Sequence, residues 1–154
     1  MLTVIIPSHN EENHIQSCLA AIITQANLPS GHKIQVVVAA NGCIDQTVAL
    51  AQSKELALKA AGFDLLVLDI KRGNKINALN QAEAVADFKD RIFLDADVLI
   101  GPRMLHEMAD LLAQDQPVYA SGTVCIPRPQ SVISRAYAKV WTNLPFVRDG
   151  VPGI

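Results

Sequence analysis

Asp95 and Asp97 are the residues with the clearest capacity for chemistry: two carboxylates one alanine apart, at the end of an expected strand over Arg91–Asp95. Both can reach a single hard cation. Mg2+ or Mn2+ prefers such oxygen ligands and keeps positions open for phosphate and water. Alone, the pair could equally cap a loop between a strand and a helix. Three other segments bear on the choice. Pro7-Ser8-His9-Asn10-Glu11-Glu12 carries side chains that could hydrogen-bond a ribose or a base edge, or simply complement the positive N-terminus of a following helix. In Asn41-Gly42-Cys43-Ile44-Asp45, Asn41 offers a donor and an acceptor, Gly42 permits a tight turn, Asp45 reads as a helix cap and Cys43 as inert. Lys71-Arg72-Gly73-Asn74-Lys75 is a basic cluster, either a solvated turn or a diphosphate contact through Lys75 or Arg72.

These segments are more informative together. A phosphate held at about 4 Å from a carboxylate costs about 4 kcal/mol at an effective dielectric of about 20. A divalent ion between them reverses that sign and stabilises charge on a departing diphosphate. A base reader, a basic clamp and metal carboxylates therefore describe a site for a nucleotide diphosphate. The loops lack the glycine fingerprints of dinucleotide-binding folds and P-loop NTPases, which grip phosphate with backbone amides.

Strands must place these loops at one edge. Apolar runs at Leu2–Ile6, Ile34–Ala40, Phe63–Ile70, Arg91–Asp95 and Val118–Ile126 read as five strands. Helical spacing follows each of the first four. Ser8 or Asn10 is expected to cap the first helix, with Ser8 and Glu11 at capping-box spacing. Asp45 is expected to cap a second helix running to about Ala61 and closed by Gly62. Further helices are expected after Gly73, around Met104–Leu112 and from Ser131 to about Leu144. Strict alternation predicts an α/β fold with a mainly parallel sheet, right-handed crossovers and helices on both faces. In such sheets ligands sit outside the carboxyl ends of the strands, which is where the four loops lie.

Composition sets the bounds. The 154 residues suffice for one core, and 50% hydrophobic with 5% aromatic content makes that core aliphatic. A net charge of −2 gives no electrostatic footprint for nucleic acid. Cys18, Cys43 and Cys125 are too few and scattered for a disulfide framework or a zinc site, and suit a reducing cytoplasm. His9, His14, His32 and His106 lack metal-ligand spacing, no apolar run approaches the ~20 residues of a membrane span, and the N-terminus reads as a strand. Tyr137 and Trp141 share a helix face, which is either core or, if exposed, suited to self-association or to a membrane surface.

Four ordered motifs, Val4-Ile5-Ile6-Pro7-Ser8-His9-Asn10-Glu11-Glu12, Val36 to Thr47, Gly73-Asn74-Lys75-Ile76-Asn77-Ala78-Leu79-Asn80 and Phe93-Leu94-Asp95-Ala96-Asp97, resemble those of the family 2 glycosyltransferases. The resemblance implies a Rossmann-like GT-A α/β/α sandwich that transfers sugar, with inversion, from a nucleotide-diphosphate donor, UDP-sugar first. It implies that Pro7, His9 and Glu11 line the uridine pocket and that Asn41 reads the uracil edge. Lys75, with Arg72, would face the nucleotide, Asp95 would touch ribose or metal, and Asp97 would bind the Mn2+ or Mg2+. Asn41 stands where the family often has Asp, and His9 where an aromatic is common. On this reading residues 1–127 bind the donor and 128–154 begin an acceptor-binding half. Beyond Pro127 the only acidic residue is Asp149, which is read as a solvated loop carboxylate and not as the general base. The chain would then be a truncated gene product or an isolated domain, and the alternative to an enzyme is a donor-binding remnant.

Overall fold

A computed structural model describes residues 1–25, 33–114, 116–122, 125 and 131–144. The chain forms two compact units, Met1–Ala109 and Asp110–Ile154.

The first unit is built on four parallel strands, β1 (Leu2–Ser8), β2 (Ile34–Asn41), β3 (Phe63–Ile70) and β4 (Asp90–Phe93), in the order β3-β2-β1-β4. Leu2 pairs with Ile34 on one side and Asp90 on the other, so β1 and β2 are central. Both are buried along almost their whole length, because parallel strands with helices on both faces have no wet side. Their period of two divides the core. Val4, Ile6, Val36 and Val38 pack beneath α1 (Ile15–Ile23), α2 (Thr47–Gln52), α3 (Glu55–Ala60) and α5 (Met104–Leu112). Ile5, Val37 and Ala39 face α4 (Lys75–Ala84) through Ala78 and Ala82. Each fully buried Val, Ile or Leu contributes about 1.5–3 kcal/mol to holding the strand ends in register. Four strands and the doubly covered parallel sheet are as the alternating sequence predicts.

Three local expectations are corrected. Helix α1 starts at Ile15 after His14, with no side-chain cap, so neither Ser8 nor Asn10 caps it. Ser8 is the last residue of β1, and its hydroxyl donates to Ile6 O at 3.4 Å. The single helix expected up to Ala61 is two, α2 and α3, broken where the Ser53 hydroxyl takes the Leu50 carbonyl at 2.6 Å. Gly62 does close the segment, at φ +88°. The described residues of Val118–Ile126 form no strand, and Tyr119 is 82% exposed. Strand propensity reflects packing on a half-buried pleated surface, and Tyr119 has no such cover.

Within the second unit, α6 (Val132–Thr142) leaves Ile133, Tyr137 and Val140 exposed. Among the described residues no helix is long and apolar enough to cross a membrane.

Candidate active site at the carboxyl ends of β1, β2 and β4

Winding from β1 goes to β2 on one side and reaches β4 on the other, so the β1/β4 boundary is the point where the strand order reverses. Crevices form there because the loops after adjacent strands diverge to opposite faces. A cavity of about 240 Å³ occupies it, lined by Pro7, Ser8, His9, Glu11, Asn41, Lys75, Asp95, Ala96 and Asp97. The expected site residues therefore converge, with one exception. Arg72 lines a separate cavity of about 310 Å³ with Asn74 and Asn77.

The neutral end of the cavity is tightly braced. Backbone N–H groups of the first loop donate into the second: Glu11 N to Thr47 Oγ1 at 2.8 Å and Glu12 N to Asp45 Oδ2 at 3.1 Å. In return Ile44 N donates to Asn10 Oδ1 at 2.9 Å and Gln46 N to Glu12 Oε2 at 3.1 Å. Asn10 adopts φ +56°, a left-handed conformation that Asn tolerates better than most residues. Asn10 and Glu12, which the sequence offered as helix-terminal charges and caps, thus stitch two loops together. Asp45 also accepts from the Thr47 amide and hydroxyl at 3.0 and 2.6 Å. Slight burial works to raise its pKa, but the hydrogen bonds from Thr47 and Glu12 outweigh it and hold the carboxyl below its ordinary value.

A second clasp fixes Asn41. Gly42, at φ +61°, donates its N–H to Ile70 O at 2.7 Å. A Cβ on Gly42 would lie 2.7 Å from Gly73 N, so only glycine lets the loop 71–74 come this close. That approach allows Asn74 N to donate to Asn41 Oδ1 at 2.5 Å, while the Asn74 side chain caps α4 by accepting from Asn77 N at 3.0 Å. His9 Nδ1 lies 2.6 Å from Asn41 O. Since a carbonyl only accepts, that ring nitrogen carries the hydrogen.

The charged end is looser. Lys75 Nζ lies 3.3 Å from Asp95 Oδ1, with the two side chains 66% and 61% exposed, so water weakens the pair. Glu11 pairs with His14 at 2.9 Å. Behind the loop, Cys18 is fully buried, and its thiol reaches toward Asp95 O at 4.0 Å. Burial, reinforced by the charge of Asp97, pushes this thiol up from 9.0 to about 12. It is therefore a packing residue and not a nucleophile. Among the described residues no three His, Cys, Asp or Glu side chains converge as a metal cage. Asp95 and Asp97 still fit a hard divalent ion, because two exposed carboxylates on one cavity wall leave the remaining positions to phosphate and water. Ser8 and Ala96 also line the cavity. The sequence places Ser8 in the first loop but offers it as a helix cap, not as a site residue.

Residues 3–147 match the sequence profile of the family described as Glycosyl transferase family 2. The chain belongs to that family. TarS from S. aureus, also solved with UDP-GlcNAc, superposes with a TM-score of 0.60 at 24% identity, covering 72% of this chain and 30% of that one in the complex. The mannosyltransferase PcManGT from Pyrobaculum calidifontis, solved with GDP-Man and Mn2+, gives 0.59 at 27% identity, over 74% of this chain and 32% of that one. Glucosyl-3-phosphoglycerate synthase from Mycobacterium tuberculosis, solved with Mn2+, UDP and phosphoglyceric acid, gives 0.53 at 22%, over 75% and 40%. This chain thus spans about a third of the length of the structures it resembles. No curated protein matches it significantly. The four-stranded parallel sheet of this chain is the fold of these GT-A neighbours.

Proposed function

We propose that this chain binds a nucleotide-diphosphate sugar as donor in a metal-dependent, inverting sugar transfer. The observation that carries this reading is the single cavity in which a neutral, hydrogen-bonding wall (Pro7, Ser8, His9, Asn41) adjoins Lys75, Asp95 and Asp97. The neutral wall suits the nucleoside. Asp95 and Asp97 would hold Mn2+ or Mg2+, which when bound supplies charge stabilisation for the leaving diphosphate. Lys75, free to exchange its exposed partner Asp95 for phosphate oxygen, would clamp the same group. Glu11 would meet the ribose side of the nucleoside. Arg72, in its own cavity, is assigned no contact with the diphosphate.

The mannosyltransferase neighbour, at 27% identity, was solved with GDP-Man and Mn2+, which supports donor class and metal together. Uridine, implied by the motif resemblance, is one member of the donor class. Inversion is likewise what the resemblance implies, and the anomeric configuration of the product, read by NMR, tests it. Transfer needs a general base for the acceptor hydroxyl. Asp149 lies outside the described residues, and the base is not assigned.

The test is thermal. A nucleoside diphosphate at 100 times its Kd, with Mn2+ present, stabilises the fold by about 2.7 kcal/mol. If chelation with EDTA leaves that stabilisation intact, the cation bridge is wrong. Turnover of a donor sugar above background then distinguishes an enzyme from a module that only holds donor.

A further inference from the structure

Resting on that donor reading, we infer that Asn41 and His9 set the base specificity, and that between the pyrimidines they favour an edge with an acceptor ring nitrogen beside an amino group, cytosine, over the uracil imide. The orientation of the Asn41 amide is not free. Its Oδ1 receives the N–H of Asn74 at 2.5 Å, and a backbone N–H can only donate, so this side of the amide must be oxygen. The donor is itself anchored. Asn74 caps α4, and Gly73 lies against Gly42 where any side chain would collide. Turning the amide over would set two donors against each other in a side chain that is only 8% exposed. Nδ2, which has no partner among the described residues, is what this cavity-lining residue has left for a ligand.

His9 completes the pattern with the opposite polarity. Its Nδ1–H is spent on Asn41 O, so in the neutral ring Nε2 carries the lone pair. Among the described residues Nε2 has one contact, the Asn10 amide nitrogen at 3.5 Å, which suits an acceptor and is long and exposed enough for a ligand's donor to replace it. The neutral wall therefore offers an amino group from Asn41 and a lone pair from His9. Cytosine presents O2 and N3 as adjacent acceptors and an exocyclic amine as donor. Uracil presents N3–H as a donor between two carbonyls. An amino group facing that position meets hydrogen with hydrogen, and the ring lone pair meets carbonyl with lone pair. An aspartate at position 41 would behave differently: one oxygen would still receive Asn74 N–H and the other would accept the uracil N3–H. The sequence departure at this position is thus a change in polarity and not only in charge.

Calorimetric titration of the chain with CDP, UDP and GDP, each with Mn2+, tests this. CDP should bind about tenfold or more tightly than UDP, the cost of a buried unmatched donor expressed as affinity. The Asn41→Asp variant should reverse the order, and His9→Phe should weaken CDP several-fold while changing UDP less. The wild-type ratio decides even if a variant fails to fold. UDP binding as tightly as CDP, or GDP alone binding, overturns the inference and leaves the donor reading standing. Failure of all three to bind removes both.

Discussion

The two ends of the cavity are built on different plans. At the neutral end Asn41 is buried, and the loops after β1 and β2, though exposed at His9, Asn10, Glu12 and Ile44, are tied to each other by reciprocal hydrogen bonds between backbone N–H groups and side chains. At the charged end, Asp95, Asp97 and Lys75 are exposed and share one solvent-weakened ion pair. The difference follows from what each end must recognise. A base is discriminated by the polarity of fixed donors and acceptors, which only a rigid wall can hold in place. A cation and a diphosphate bring their own strong fields and can pull flexible side chains into position.

If that contrast is right, the charged end should be fragile in function and the neutral end fragile in folding. The largest effect is expected from Asp97→Ala. It should abolish the metal-linked stabilisation by nucleotide, about 2.7 kcal/mol at 100 times Kd, while the melting temperature without ligand stays nearly unchanged. Loss of fold in that variant would assign Asp97 to structure instead. Next comes Gly42→Ala, which combines a left-handed φ with a collision against Gly73 and should cost about 1–3 kcal/mol in urea unfolding. A neutral result there would mean that the clasp on Asn41 is not rigid.

Lys75→Ala should weaken nucleotide binding by about tenfold, and the loss should shrink at high salt because the group is exposed. An equal loss at all salt concentrations would point to a buried contact. The smallest effect concerns acid. The Asp45 carboxyl has a folded pKa below its ordinary 3.8, so the unfolded chain takes up the proton more readily. The stability it contributes is therefore present above about 3.8 and is lost as pH falls through the lower folded value. Compared with Asp45→Asn, the wild type should lose its advantage in that acid window only. An advantage independent of pH would show that the Thr47 and Glu12 bonds do not depend on the charge.

Much of this was legible in the chain. Period-two and helical patterns gave four strands and their crossovers because burial on both faces of a parallel sheet demands continuous aliphatic runs, as in Val36-Val37-Val38. The strand-end rule then pointed to Pro7, His9, Glu11, Asn41, Lys75, Asp95 and Asp97 without knowledge of distances. The failures share a cause. Local spacing places Ser8, Asn10 and Glu12 at a helix start, yet the partners of Asn10 and Glu12 lie 34 residues away in the second loop and that of Ser8 within the strand itself. The run at Val118 reads as a strand only if some surface covers it.

The sequence by itself determined which residues alternate with which, and hence the sheet, its two buried faces and the edge at which the chemistry gathers. Tertiary structure alone decided that Arg72 stands apart from Lys75, that Cys18 is silenced by burial, and which atom of Asn41 is left over. Hydrophobic periodicity is a property of neighbours along the chain. The polarity of an amide depends on which backbone group, 33 residues distant, is brought against its oxygen.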